Sequence, residues 1–331
     1  MQFNSDNAAP VHPEVWEAMH AADGLDMGYD GDALSARLDE AMSGVFGVPC
    51  AALWVATGTA ANCLALASMA PPEGGVVCHR EAHIEVDEGG APGFFLHGAK
   101  LMLADGEHAK ITPEAVRALI DPIRDDVHQV QPHAVSITQA SEYGCVYRPE
   151  ELRALSALCR ERGLGFHVDG ARFANAVAFL GCPPREACNG ADALSFGFVK
   201  NGAMNAEAIV FFDPDKADRI RYRRKRAGHL QSKGRFMAAQ ILALIEDNLW
   251  LHNANNANAT ARHLASKVPD RLLHQVEANE LFVRLSDAER AALREQGFGF
   301  HDWGSDAARI VTAWDTRDEH VAALGSALVA L

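Results

Sequence analysis

The chain has 331 residues, 48% of them hydrophobic, enough to bury the core of one large domain and a smaller one. Its 44 Asp and Glu outnumber 30 Lys and Arg, and the formal charge of −14 argues against nucleic acid or an anionic membrane as the main partner. No apolar run approaches the roughly 18–20 residues of a membrane span, and the N-terminal MQFNSDNAAP lacks the pattern of a secretory signal. Seven cysteines without a CxxC pair read as reduced thiols of a cytoplasmic protein.

Taken in chain order, short apolar runs alternate with helical patterns. Cys50–Ala56 reads as a buried strand and Thr59–Met69 as an Ala/Leu-rich helix. Gly75–His79 and Lys100–Leu103 are short strands, and Thr112 caps a helix that has Pro113 at its first position. His133–Thr138 is a strand, Glu150–Arg162 a helix closed by Gly163, and Leu164–Val168 a strand running into Asp169. Two further apolar segments, Ala193–Phe198 and Ala208–Phe212, bracket Lys200. After about Arg235 the character changes. A helix over Phe236–Asn248 leads to a second one rich in Asn and Ala, and the alternating segments Glu280–Leu285, Phe298–Trp303 and Arg309–Trp314 precede a last helix, Glu319–Leu331. The expectation is an α/β fold, with a mostly parallel sheet between helices in a large domain and a small C-terminal α+β domain. The expected limits are 1–14 for an N-terminal segment, 15–235 for the large domain and 236–331 for the small one.

Three stretches carry chemistry. Thr57-Gly58-Thr59-Ala60-Ala61-Asn62 joins a strand to a helix, where small residues and free N–H groups make a seat for phosphate. His167-Val168-Asp169-Gly170-Ala171-Arg172 sets a carboxylate at a strand end, facing the crevice where α/β proteins bind ligands, with Arg172 able to fork onto a carboxylate. Ser195-Phe196-Gly197-Phe198-Val199-Lys200-Asn201-Gly202 places one lysine after an apolar strand, surroundings that favour the neutral amine needed for Schiff-base chemistry. Each has a plainer reading: a turn with its cap, an ion-paired strand-end Asp, a solvent lysine. The ordered set of phosphate seat, strand-end Asp and lysine points instead to pyridoxal phosphate (PLP).

With these motifs, together with Asn4-Ser5-Asp6-Asn7, Ala82-His83-Ile84 and Arg309-Ile310-Val311-Thr312-Ala313-Trp314, the sequence resembles the low-specificity threonine aldolases, PLP enzymes with an aspartate-aminotransferase-like fold. The resemblance runs over nearly the whole chain. It implies retro-aldol cleavage of L-threonine, L-allo-threonine or related β-hydroxy-α-amino acids to glycine and an aldehyde. Lys200 would carry PLP as a Schiff base, Asp169 would pair with the ring nitrogen, and His83 would stack on the ring. Gly58 and Thr59 would hold the phosphate. Ser5, Arg172 and Arg309 would grip the substrate carboxylate, His128 would lie near the β-hydroxyl, and Glu88 would organise water beside His83. Gln139 would touch the ring's phenolic oxygen. A homo-oligomer, dimer or tetramer, with shared sites is implied too. Tyr29 and Lys233 are the residues expected to cross over, Tyr29 near the substrate and Lys233 at the phosphate. Where the family has Tyr-Gly-Asp-Asp this chain has Tyr29-Asp30-Gly31-Asp32, and Lys233 stands in for a family arginine.

Two other readings compete. His79 and His83, at i and i+4, would form the zinc site of a metal-dependent hydrolase if they shared a helix, although VVCHREAHIEV reads as strand and turn and no metal is expected. Within PLP chemistry, β-elimination or racemisation of small amino acids is the alternative. The basic run Arg219–Arg226 reads as a solvated helix face rather than an RNA site.

Overall fold

The structure, a computed structural model, describes residues 1–331. In chain order the elements are α1 (Pro13–Ala21), α2 (Leu38–Phe46), β1 (Ala51–Val55), α3 (Gly58–Leu66), β2 (Gly75–His79), α4 (His83–Val86), α5 (Ala91–Phe95), β3 (Lys100–Ala104), α6 (Pro113–Ile120), β4 (Pro132–Thr138), α7 (Pro149–Arg162) and β5 (Gly165–Gly170). They continue with α8 (Phe173–Leu180), β6 (Ala193–Phe196), β7 (Glu207–Phe211), α9 (Ala217–Arg226), α10 (Arg235–Ile245), α11 (Leu249–Ala265), β8 (Glu280–Arg284), α12 (Asp287–Glu295), β9 (His301–Trp303), β10 (Ala307–Val311) and α13 (Asp318–Val329).

The strands of the large sheet lie in the order β1-β7-β6-β5-β4-β2-β3, and β7 alone runs against the others. Every residue of β1, β2 and β7 is buried, because helices cover both faces of a sheet built by crossover connections. The helix starts follow their side chains. The Thr57 hydroxyl accepts from the Ala60 N–H at 3.1 Å, and the Thr112 hydroxyl accepts from the Ala115 N–H at 3.2 Å ahead of Pro113. Gly163, at φ +66°, ends α7 in the left-handed conformation expected of it.

The small sheet is antiparallel, in the order β8-β10-β9, and packs on the second half of α11 and on α13. The first residues of the chain belong here as well. Phe3 enters this second core, its N–H donates to the Gly299 carbonyl at 2.7 Å, and its carbonyl accepts from Val311 at 2.9 Å. The apolar side chains of α10, with Trp250 and Ala254 of α11, join the large core, whereas Ala261 and Leu264 join the small one. The change of packing partner therefore falls within α11, not at the 235/236 boundary suggested by composition. A helix can serve two cores when its apolar stripe continues across both.

The basic run forms α9, and one member departs from the expected solvated face. Arg224 has a side chain only 1% exposed, bonded to the Asp30 carboxylate and the Trp54 carbonyl, with its guanidinium 4.6 Å from the Trp54 ring centroid. Removing a buried guanidinium strands its carboxylate partner. Arg224→Ala is expected to lower unfolding free energy by about 2–4 kcal/mol, while exposed Arg219→Ala should stay within about 0.5 kcal/mol, as read from urea-unfolding midpoints.

Candidate active site

The carboxyl ends of β1, β4, β5 and β6 border a cavity of about 320 Å³ that is partly open to solvent. This is where a parallel sheet gathers ligand-binding groups, since each strand ends there in a loop free of ladder constraints. Gly58, Thr59, Asn62, His83, Glu88, Asp169, Arg172 and Lys200 all line it. Motifs more than a hundred residues apart thus converge on one wall.

Gly197 makes the convergence possible. Its N–H donates to the Gly170 carbonyl at 3.0 Å, and a Cβ there would sit 2.5 Å from the Ala171 carbonyl oxygen. With no side chain between them, the ends of β5 and β6 close up, and the turn Val199–Asn201 carries Lys200 into the same cavity as Asp169. Gly202, at φ +118°, closes that turn in a conformation that favours glycine.

Asp169 is held from two sides. One oxygen accepts from the Ala171 N–H at 3.0 Å and the other from the Asn62 amide at 2.8 Å. The same Asn62 nitrogen donates to Glu88 at 2.9 Å, and Glu88 in turn meets His83 Nδ1 at 2.9 Å. The bond to Glu88 raises the His83 pKa above its ordinary value, against the opposing effect of burial. His167, two residues before Asp169, lies beneath the site. Its ring is bonded to Ser136 and Ser195 at 2.9 Å each, and burial pushes it down to about 4.

Other expected residues fall elsewhere. His128 is exposed in the loop entering β4, at the strand end opposite Thr138, so a chain does not bring it to its own cavity; this corrects its expected place at the crevice. Gln139 is fully buried, and its amide is used on the Tyr147 and Ala187 carbonyls and the Tyr147 N–H, which leaves nothing for a ring oxygen. Ser5 accepts from the Asn7 N–H, and Asn7 rather than Ser5 lines the cavity. Arg309 stands outside the lining but is joined to Arg172 through Glu280. Tyr29 and Lys233 pair by a backbone bridge and are both exposed, away from their own chain's cavity. The hydrolase reading fails on geometry: His79 ends β2 while His83 opens α4, and both ring nitrogens of His79 are engaged, by the Gly106 carbonyl and the Glu81 N–H.

Several residues gained no role from the sequence. Glu142 accepts at Oε1 from the His83 N–H at 3.0 Å and the Thr138 hydroxyl at 2.6 Å, and burial raises it to about 7. The residue as a whole is partly exposed, but its Oε2 is sealed from solvent without a partner. Burial likewise raises Glu207 to about 7, and its carboxyl accepts from the N–H of Phe198 and of Val199, ahead of Lys200. Asp6 takes Arg172 in a two-point pair at 2.8 Å each. An inward-facing acid within an apolar strand, as in Glu207 and Glu280, was the available signal.

The site accepts a flat, phosphorylated, electron-withdrawing ring. The first N–H groups of α3 could take a phosphate, the Asp169 carboxyl could face a ring nitrogen, Lys200 could offer its amine to a carbonyl carbon, and Asn62 Oδ1, Glu88 Oε2 and Glu142 Oε2 are buried without partners. Fold and site together are those of a PLP-dependent enzyme.

Similar proteins agree. Residues 2–288 match the β-eliminating lyase family. The chain is 45% identical over 328 residues to the low-specificity L-threonine aldolase of Pseudomonas aeruginosa, covering 97% of this chain and 94% of that one. It is 44% identical to the enzyme of that name from a Pseudomonas species, covering 98% and 96%. The threonine aldolase structure from Leishmania major superposes with a TM-score of 0.94 at 25% identity, over 99% of this chain and 98% of that one. Serine palmitoyltransferase from S. paucimobilis shares the fold alone, with a TM-score of 0.73 at 16% identity over 100% and 86% of the two chains. The chain belongs to the β-eliminating lyase family.

The position of Glu142 has a measurable consequence for stability. A carboxyl raised from 4.5 to about 7 by folding holds a proton that the unfolded chain releases, so its stabilising effect is complete below about 4.5 and is lost as pH rises through about 7. Glu142→Gln removes that loss. Relative to wild type, the variant's unfolding free energy is expected to gain on the order of 1–3 kcal/mol between about pH 5 and 8, measured by denaturant titration at each pH.

Proposed function

We propose that the protein cleaves L-threonine, L-allo-threonine and related β-hydroxy-α-amino acids to glycine and an aldehyde, with PLP held at Lys200. The observation that carries this reading is the meeting of Lys200, Asp169 and the start of α3 on one cavity, in a chain 44–45% identical to enzymes named for that reaction. When bound, PLP supplies the electron sink for the pair released as the Cα–Cβ bond breaks. The protein's share is positional and protolytic. The N–H groups of Gly58 and Thr59 seat the phosphate, and Asp169, fixed by Asn62 and Ala171, holds the proton on the ring nitrogen. Lys200 Nζ is the point of covalent attachment. Arg172, with Arg309 behind it, receives the substrate carboxylate.

His83 is the base for the β-hydroxyl. Its Nδ1 is bonded to Glu88, which leaves Nε2 to take the proton, and the raised pKa strengthens it as an acceptor. Glu142 steadies the same residue through its backbone N–H. His128 reaches a substrate only if a second copy presents it. We assign a homo-oligomer, dimer or tetramer, in which Tyr29 and Lys233 serve a neighbour's cavity, because both are exposed and lie away from their own. The seven unpaired cysteines support a reducing, cytoplasmic setting, and no helix is long and apolar enough to cross a membrane.

Lys200→Ala is expected to abolish the visible absorbance of bound PLP and its borohydride fixation to the chain, and to lower kcat for glycine release by about 10³-fold or more. Wild-type turnover in that variant would end the assignment. His83→Asn should lower kcat on both threonine diastereomers by roughly 10²-fold. A wild-type kcat would move the base elsewhere; from L-threonine, 2-oxobutanoate and ammonia in place of glycine would favour β-elimination, and the Cα epimer D-allo-threonine would favour racemisation.

A further inference from the structure

Arg172 and Arg309 belong to different halves of the molecule, one following β5 of the large sheet and the other within β10 of the small one. Only Arg172 lines the cavity. What joins them is Glu280, the first residue of β8, whose side chain has no solvent exposure. Glu280 faces Val311 in the antiparallel register, so Arg309, two residues along, projects from the same face of the sheet. Glu280 Oε1 accepts from Arg309 Nε at 2.9 Å and Nη2 at 2.5 Å. Its Oε2 lies 3.3 Å from Arg172 Nη1 without hydrogen-bond alignment, and remains an unpartnered buried oxygen.

Arg172 is otherwise committed, with Nε and Nη2 each 2.8 Å from Asp6. Asp6 is itself fixed by the Asn279 amide at 3.0 Å, next to Glu280 in the chain. The four side chains form an alternating row, Asp6, Arg172, Glu280, Arg309, neutral in sum. Burial works against the charge of Arg172, but the Asp6 and Glu280 carboxylates hold its pKa well above the ordinary value. Each guanidinium carries five N–H donors, and the row leaves the Nη1 group of both arginines without a hydrogen bond. Without the acid between them, two like charges would repel, and the flexible Arg309 would have nothing to hold it beside Arg172.

We propose that Glu280 is a positioning residue that holds Arg172 and Arg309 as a single clamp for the substrate's α-carboxylate, with its loosely engaged Oε2 yielding Arg172 Nη1 when that carboxylate arrives. The inference rests on the α-amino-acid reading above and goes beyond it by tying carboxylate recognition to the small domain. It makes a sign prediction. If Glu280 served only to neutralise charge, removing it would leave a more positive pair and tighter carboxylate binding. If it positions the pair, carboxylate binding weakens.

The test compares glycine with glycinamide, which keeps the amine and lacks the carboxylate, as inhibitors of holoenzyme carrying Glu280→Gln. The amide oxygen of Gln still accepts from Arg309, which favours folding. Positioning predicts that the inhibition constant of glycine rises about tenfold or more while that of glycinamide stays within about twofold, and that KM for L-threonine rises with kcat within about threefold. Equal changes for both inhibitors, or tighter glycine binding, overturn it. Should the Gln variant not fold, Glu280→Asp keeps the charge but withdraws the oxygens by one methylene; it is expected to lose glycine selectively as well, and a wild-type inhibitor ratio in Asp would overturn the proposal. Wild-type holoenzyme that released no glycine from L-threonine would refute the functional reading instead, a result distinct from a failure of Glu280.

Discussion

Five acidic side chains are taken out of water at and behind one cavity, Glu88, Asp169 and Glu207 lining it and Asp6 and Glu280 lying against its Arg172, and the local architecture follows from the need to partner them. A carboxylate moved into the interior costs several kcal/mol unless a cation or N–H group compensates. Here each finds its partner on a different element. Asp6 and Glu280 take arginines from the two sheets, Glu88 takes the His83 ring, Asp169 takes an amide and a backbone N–H, and Glu207 takes two backbone N–H groups of the turn bearing Lys200. These pairings fix the site's geometry before any ligand arrives, which is the condition for electrostatic catalysis without reorganisation.

The same economy explains the division of labour between neighbouring groups. Asn62 uses one nitrogen on both Asp169 and Glu88, so the strand-end carboxylate and the carboxylate bonded to the His83 ring are set by one amide. Glu142 and Glu88 grip His83 at different places, backbone and ring, which orients the imidazole and leaves Nε2 without a hydrogen bond. Beneath them His167 is held neutral by burial between two serine hydroxyls, so the histidine of the HxDGAR stretch packs β4, β5 and β6 together and takes no part in proton transfer.

The small domain completes the site from a distance. Phe3 anchors the start of the chain in its core, which brings Asp6 to Arg172, and β8 and β10 bring Glu280 and Arg309 to the same point. The N-terminal segment is therefore fixed beside Arg172 of the cavity, held there by apolar packing on the small sheet and an ion pair to the large domain.

The sequence by itself determined the α/β class, most strand positions, the helix starts at Thr57 and Thr112, and three motifs that the fold brings to one cavity. These are local matters of hydrophobic period, cap chemistry and short-range spacing, and a residue's own neighbours decide them. Tertiary structure alone decided which side chains meet. His128 lies near β4 in sequence yet at the wrong end of the strand, because a strand's two ends face opposite edges of the sheet; Gln139 follows the right end but turns inward to satisfy backbone groups. Glu142 was unremarkable as a letter, and Glu207 and Glu280 offered only an acid at the head of an apolar strand, a hint that gains meaning once burial and partners are known. Arg224 sat in a run of exposed bases and was drawn inside by Asp30 and Trp54, contacts that span 194 and 170 residues of chain. Pairings at such separations depend on how the whole chain closes, and no local pattern encodes them.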